Sequence, residues 1–223
     1  MKNKQIYLTI DDGPGKDFTD KIDYLYHNKI PAILFCQGLL IKKRSEDVKR
    51  AIKSGYVIGN HSYDHKSFSK LKITEVYKQI SRTDKIINNV YASLGIKRPI
   101  KLFRFPFGDR GGVNEVNIIK YLKKLGYKQP EYENLSKSYS VYSNNADCYY
   151  SFDTEDWSLD NAKCKDKQYT KLITKINRRL DDKKGTGREI MLIHDHDKTT
   201  KYFYKIIKNL QKKGVKFILP KFR

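Results

Sequence analysis

Ile6-Tyr7-Leu8-Thr9-Ile10-Asp11-Asp12-Gly13-Pro14 passes from an apolar run into a pair of carboxylates and a turn. A short apolar run bounded by Gly and Pro reads as a buried strand. Taken alone, Asp-Asp-Gly-Pro is good turn chemistry and nothing more. The same arrangement returns along the chain. Val57-Ile58-Gly59-Asn60 leads into His61-Ser62-Tyr63-Asp64-His65, and Leu102-Phe103 into Arg104-Phe105-Pro106-Phe107-Gly108. Ser151-Phe152 leads into Asp153-Thr154-Glu155-Asp156-Trp157, and Met191-Leu192-Ile193 into His194-Asp195-His196-Asp197. Active sites of α/β proteins assemble at the carboxyl ends of strands. The five polar clusters are therefore expected to converge on one face.

Outward from these junctions, seven segments read as strands: Ile6–Ile10, Ala32–Cys36, Tyr56–Ile58, Leu102–Phe105, Cys148–Phe152, Ile190–Ile193 and Val215–Leu219. Helical patterns lie between them. Ser45 is placed to cap a helix with Glu46 and Asp47 in its first turn, Val48, Ala51 and Ile52 on one face, and Gly55 as terminator. Thr74 opens a longer one with Tyr77, Ile80, Ile87, Val90, Tyr91 and Leu94 at helical spacing, closed by Gly95. Residues 114–126 and 199–214 follow the same pattern. The alternation predicts parallel strands joined by right-handed helical crossovers in a single α/β domain spanning residues 1–223. Residues 129–147 match neither period, being rich in Tyr, Ser and Asn. They read either as a surface loop bordering the site or as disorder.

Composition narrows the class. The chain has 223 residues, 39% of them apolar and 32% charged, enough for one domain with a substantial core. The longest apolar runs are too short to span a bilayer. Met1-Lys2-Asn3-Lys4-Gln5 carries no apolar stretch of a signal peptide, so the expectation is cytoplasmic, or secreted had a leader been removed. Cys36, Cys148 and Cys164 form no CxxC pair, and Cys36 reads as a core residue rather than part of a disulfide framework. Forty-six Lys and Arg against 25 Asp and Glu give a net charge of +21. Such a charge attracts polyanions of many kinds and selects none of them.

His61 and His65, four apart, can approach one ion from the same side, with a carboxylate from another strand completing the set. A divalent ion there would supply what amide hydrolysis needs, namely a polarised carbonyl and an acidified water. A base and an acid are also required. Asp11 is a candidate base and His194 a candidate acid, with Asp153 to stabilise the protonated imidazole and Arg104 to orient Asp11. Each residue has a plainer reading: a turn, a surface histidine pair, a strand end with a proline stop, a helix cap, a core histidine. Only jointly do they describe a site.

Jointly they resemble the polysaccharide deacetylases, carbohydrate esterase family 4, also called the NodB-homology group. The resemblance runs from Thr9 to the last strand, with all five family motifs in order. Thr9-Ile10-Asp11-Asp12-Gly13-Pro14 resembles the first, with Ile10 for the usual Phe, and implies Asp11 as base and Asp12 as metal ligand. His61-Ser62-Tyr63-Asp64-His65 resembles the second and implies two further ligands. Arg104-Phe105-Pro106-Phe107 resembles the third, with Phe107 where Tyr is commoner. It places Pro106 and Phe107 against substrate, the Phe107 N–H serving the oxyanion. Asp153 to Trp157 resembles the fourth, implying that Asp153 tunes the acid and Trp157 walls the acetyl pocket. Leu192-Ile193-His194 resembles the fifth, giving Leu192 to that pocket and His194 as acid. The family fold implied is a distorted (β/α) barrel of about seven parallel strands with outer helices. His27 and His196 match no family position and are expected to be bystanders.

The function implied is metal-dependent removal of N-acetyl groups from N-acetylglucosamine-type sugars in peptidoglycan, chitin oligomers or a similar glycan. The basic surface favours an anionic substrate. Zinc is the first expectation for the ion, with cobalt, manganese and nickel also suited to two imidazoles and a carboxylate. Two other classes stand behind this one. A non-catalytic glycan-binding member of the fold would bind metal without turnover. A nucleic-acid-binding or phosphodiester-cleaving protein would show steeply salt-dependent affinity. The sequence carries no recognition helix or phosphate-cradling loop for the latter, so no nucleic-acid partner is expected.

Overall fold

In the computed structural model, which describes residues 4–135, 146–182 and 187–222, six parallel strands make one sheet. They are β1 (Gln5–Gly13), β2 (Ile33–Cys36), β3 (Val57–Asn60), β4 (Phe152–Asp153), β5 (Glu189–His194) and β6 (Lys216–Phe217). The order is β3-β2-β1-β5-β4, with β6 paired to Gln5 and Ile6 of β1. Helices α1 (Phe18–His27), α2 (Gly38–Lys43), α3 (Ser45–Lys53), α4 (Ile73–Ser93), α5 (Glu115–Lys124), α6 (Lys165–Asp181) and α7 (Thr200–Lys212) occupy the connections. Among the described residues no helix is long and apolar enough to cross a membrane.

Why the strands read as near-continuous apolar runs is visible in their two faces. Ile6, Leu8 and Ile10 of β1, Leu34 and Cys36 of β2, and Met191 and Ile193 of β5 join one large core with Phe18, Ile22, Val48, Ile87, Ile176 and Phe203 of the helices. The alternate residues turn the other way. Ile33, Phe35 and Val57 pack with Leu102 and Cys148, while Tyr7 packs with Ile190. Both faces are buried, as a parallel sheet requires, so alternation of apolar with polar residues is lost. It returns at the carboxyl end of β1, where Thr9 and Asp11 stand on the inner face.

Helix ends follow the expected chemistry in part. Gly55 takes φ 89°, and its N–H donates to Ile52 O at 2.9 Å, closing α3. At the other end Ser45 is the first helical residue and Arg44 the cap, and no side chain makes a capping bond there. The long helix starts at Ile73 rather than Thr74.

Two expected strands are largely absent. Leu102–Phe105 keeps only an isolated bridge, Asn60 with Phe103, and Cys148–Phe152 contributes only its last residue, in β4. Asn60 N–H donates to Leu102 O and Arg104 N–H to Asn60 O, while Cys148 N–H donates to Phe103 O. Each segment thus meets a neighbour at one or two residues before its chain turns, at Pro106 or through Tyr149 and Tyr150, and so adds no ladder. Among the described residues the expected seven strands are six. Of residues 129–147, Glu131 exchanges backbone bonds with Lys221, and Leu135 bridges Arg188 just ahead of β5. Residues 136–145 of that stretch lie outside the described residues.

Candidate metal centre and active site

Asp12 is delivered by an irregularity at the end of β1. The strand pairs Asp11 with Phe35 and then Gly13 with Cys36, so Asp12 is skipped in the register and takes φ 73°. A left-handed backbone costs a residue with a Cβ about 1–2 kcal/mol. A bulge of this kind re-aims a side chain at a strand end. Ser62 (φ 63°), His65 (φ 58°), Phe107 (φ 58°) and Glu155 (φ 63°) share this backbone at the other strand ends. Among the described residues, five of the seven non-glycine positive-φ residues therefore sit in four of the five polar clusters, and such strain concentrates at functional sites.

Asp12 Oδ1 lies 3.0 Å from His65 Nε2 and 3.4 Å from His61 Nε2, and the two Nε2 atoms are 3.2 Å apart. Ligand atoms held about 2.0–2.1 Å from a tetrahedral ion stand about 3.3 Å from one another, so this triangle has the size a zinc-type centre requires. His61 Nδ1 lies 2.9 Å from the Arg104 carbonyl. That acceptor requires the ring proton on Nδ1 and leaves the Nε2 lone pair facing the other ligands. The donor set fits one divalent ion.

Asp11 sits beside this triangle, its Oδ2 3.6 Å from His61 Nε2. Arg104 Nη1 donates to Asp11 Oδ1 at 2.7 Å and to Thr9 Oγ1 at 2.9 Å. The remaining guanidinium N–H groups donate to Cys148 O and Tyr149 O, and the plane lies over Phe35 at 4.2 Å. Both members of the pair are buried. Arg104 thus sets a charge that cannot be lost directly against the Asp11 carboxylate.

His194 is the register partner of Asp11 on the neighbouring strand, so candidate acid and base stand at one level of the sheet. Its partner is not the residue expected. Asp156, rather than Asp153, accepts from both the His194 N–H (2.9 Å, Oδ2) and the ring Nδ1 (2.7 Å, Oδ1). Asp153 still belongs to β4, and its carboxylate accepts the Glu155 N–H at 2.7 Å. The left-handed Glu155 then reverses the chain and returns Asp156 to β5, where Thr154 Oγ1 also donates to it at 3.1 Å. Asp153, Asp156 and His194 lie close enough to hold an ion, but His194 already spends Nδ1 on Asp156.

The charges in this cleft shape one another. Burial pushes the Asp12 carboxyl up, but hydrogen bonds from His196, His61 and His65 outweigh it and hold it well below the usual carboxylate range. Burial opposes the charged form of His61, yet Asp11 and Asp12 lift it above an ordinary imidazole. Burial likewise works against His194. The Asp156 charge and hydrogen bond overcome it and raise the ring to about 10, with Asp12 and Asp11 adding to the effect. Burial raises Asp153, which the Glu155 N–H only partly offsets.

Phe107 and Trp157 are exposed on this face, 71% and 50% accessible. The Phe107 ring leans on His65, centroids 4.4 Å apart. Pro106 and Leu192 are buried, Leu192 two residues before His194 on β5 and so on the same side of the strand. His27 is exposed on α1, as expected. His196 is not a bystander. Its Nε2 lies 2.9 Å from Asp12 Oδ2, and Nδ1 lies 2.9 Å from Asp160 Oδ2. The signal was present: His194 and His196 are two apart on extended chain and must share a face. Cys36 and Cys148 are free and buried, and burial pushes both thiols upward.

The family described as polysaccharide deacetylase matches residues 1–130, more than half of the chain. A peptidoglycan-N-acetylglucosamine deacetylase of Bacillus cereus is 39% identical over 98 residues, which are 43% of this chain and 36% of that protein. A peptidoglycan-N-acetylmuramic acid deacetylase of Bacillus subtilis is 27% identical over 173 residues, 77% of this chain and 56% of that protein. The matches thus span less than two thirds of either relative's length. A solved polysaccharide deacetylase from Bacillus cereus shares the fold with a TM-score of 0.71 at 23% identity, over 100% of this chain and 93% of its own. The chain belongs to the polysaccharide deacetylase family.

Proposed function

We propose that this protein is a metal-dependent hydrolase that removes N-acetyl groups from N-acetylglucosamine-type sugars of a glycan, with Asp12, His61 and His65 as ligands of one divalent ion, zinc fitting best. The single observation that carries this reading is the Asp12–His61–His65 triangle, with the Arg104-held Asp11 beside it and the Asp156-held His194 as the register partner of Asp11 on β5. When bound there, the ion supplies Lewis-acid polarisation of a carbonyl and acidification of water.

The chain's own groups divide the remaining work. Asp11 takes the proton of the attacking water, its carboxylate aimed by Arg104, whose Nη1 is also held by Thr9 Oγ1. The Phe107 N–H donates to the developing oxyanion, the kind of preorganised contact that dominates many acyl transfers. His194, kept protonated by Asp156, gives its proton to the departing amine, and acetate leaves. Trp157 and Leu192 wall the space for the acetyl methyl, and Pro106 and Phe107 border the sugar. Peptidoglycan is the favoured substrate, because the two relatives described above are named for it and a +21 surface attracts an anionic polymer.

The test is acetate release from peptidoglycan, chitin oligomers and a small acetate ester, with a chelator present and with zinc, cobalt or manganese restored. Metal-dependent release, fastest from peptidoglycan, is expected. No release from any acetylated sugar by the metal-loaded protein would refute the hydrolase reading and leave a glycan-binding role.

A further inference from the structure

Asp12 uses its two carboxylate oxygens differently. Oδ1 faces the two imidazoles of the metal triangle, while Oδ2 faces His196 Nε2 at 2.9 Å. A carboxylate that offers one oxygen to an ion is free to swing about its own side chain unless the other oxygen is held. We propose, building on the metal-centre reading above, that His196 is a positioning residue which holds the outer oxygen of Asp12 and thereby sets the affinity of the centre for its ion.

His196 is itself held. Its Nδ1 lies 2.9 Å from Asp160 Oδ2, and Asp160 comes from the turn that follows Trp157. The Nε2 contact is an aligned hydrogen bond, whereas Asp160 faces the other edge of the ring as a charge partner without hydrogen-bond alignment. The main chain beneath it is tied to the same loop that carries Asp12. Asp195 N–H donates to Asp11 O at 2.8 Å, and Gly15 N–H donates to Asp195 Oδ2 at 2.7 Å. The buried Lys21 ammonium donates to Asp195 Oδ1 at 2.5 Å and to His196 O at 3.2 Å. Ligand and clamp are therefore mounted on one frame joining β1, α1 and the end of β5. A surface histidine touching Asp12 by accident would need neither the second carboxylate nor this anchored backbone.

The experiment measures zinc affinity, independently of turnover, by competition of the full chain with a chromogenic chelator. His196→Ala is expected to raise the zinc dissociation constant about 10–100-fold, the usual consequence of losing an outer-shell partner. His196→Gln, whose amide N–H can still reach Asp12 Oδ2, should restore most of that loss. A merely structural role for His196 predicts no such rescue. Asp160→Asn should weaken affinity less than His196→Ala, since it releases the ring without removing it. Melting curves of the chelator-stripped proteins establish that each variant folds. A folded His196→Ala with zinc affinity within twofold of the parent overturns the clamp. If that variant does not fold, unchanged affinity in both His196→Gln and Asp160→Asn overturns it equally. His61→Ala separates the two readings. If it binds zinc as the parent does, the metal-centre reading fails and the clamp with it. If it loses zinc while His196→Ala keeps it, only the clamp fails.

Discussion

The cleft has two halves built by different means. On the β1–β3 side, His61 and His65 come from one short loop and Asp12 from a single bulged residue, so three ligand atoms meet within 3.4 Å through local geometry. On the β4–β5 side, His194 depends on Asp156, 38 residues distant, and on a reversal at Glu155 that carries the chain past Asp153. The first half is encoded in spacing. The second is encoded in a turn, and a turn decides which of two nearby carboxylates arrives.

Substitutions can break or sharpen this contrast. The largest effect belongs to the metal half. Asp12→Ala or His61→Ala should abolish metal retention, measured on dialysed protein, and lower acetate release on the order of a thousandfold or more, the scale of losing both Lewis-acid functions. His194→Ala should lower kcat about 10²–10⁴-fold while the protein still binds its ion. Loss of metal in that variant would erase the distinction between the halves.

The next test concerns pH. His194 works as an acid only while protonated, so its contribution is present below its pKa and is lost as pH rises through it. With Asp156 raising it to about 10, the alkaline limb of the kcat profile should lie high. Asp156→Asn removes the charge that raises it and should move that limb down by about 1–3 pH units. Asp153→Asn, whose carboxylate is turned to the Glu155 N–H, should move it far less. Equal shifts would restore Asp153 to the role the sequence suggested. The smallest effect is Phe107→Tyr. The ring is largely exposed and the proposed contact is made by its N–H, so kcat/KM should change less than about twofold, a surface-substitution scale.

Much of the site was legible because strand ends announce themselves. The apolar runs of β1, β3 and β5 stop where the Asp11-Asp12 pair, His61 and His194 begin, and the sequence led to the expectation of an Arg104 contact to Asp11, which is present. What was not legible depends on conformation. Leu102–Phe105 has strand composition, yet Asn60 meets it through a single bridge, bonding Leu102 O and Arg104 N–H, and Cys148 only at Phe103 O, too little for a ladder. Asp153 and Asp156 are identical in chemistry, and only the positive φ of Glu155 separates them. His196 could have been found from its two-residue spacing to His194. Its partners, Asp12 and Asp160, come from other elements and leave no mark in the local sequence.

The most direct test of the central claim is a zinc titration of chelator-stripped protein, with calorimetric binding and acetate release from an N-acetylglucosamine oligomer read on the same samples. We expect release to rise with occupancy and saturate at one ion per chain, and both signals to vanish in His61→Ala. Undiminished acetate release from stripped protein, or from His61→Ala without metal, would contradict the assignment of Asp12, His61 and His65 as the catalytic metal centre.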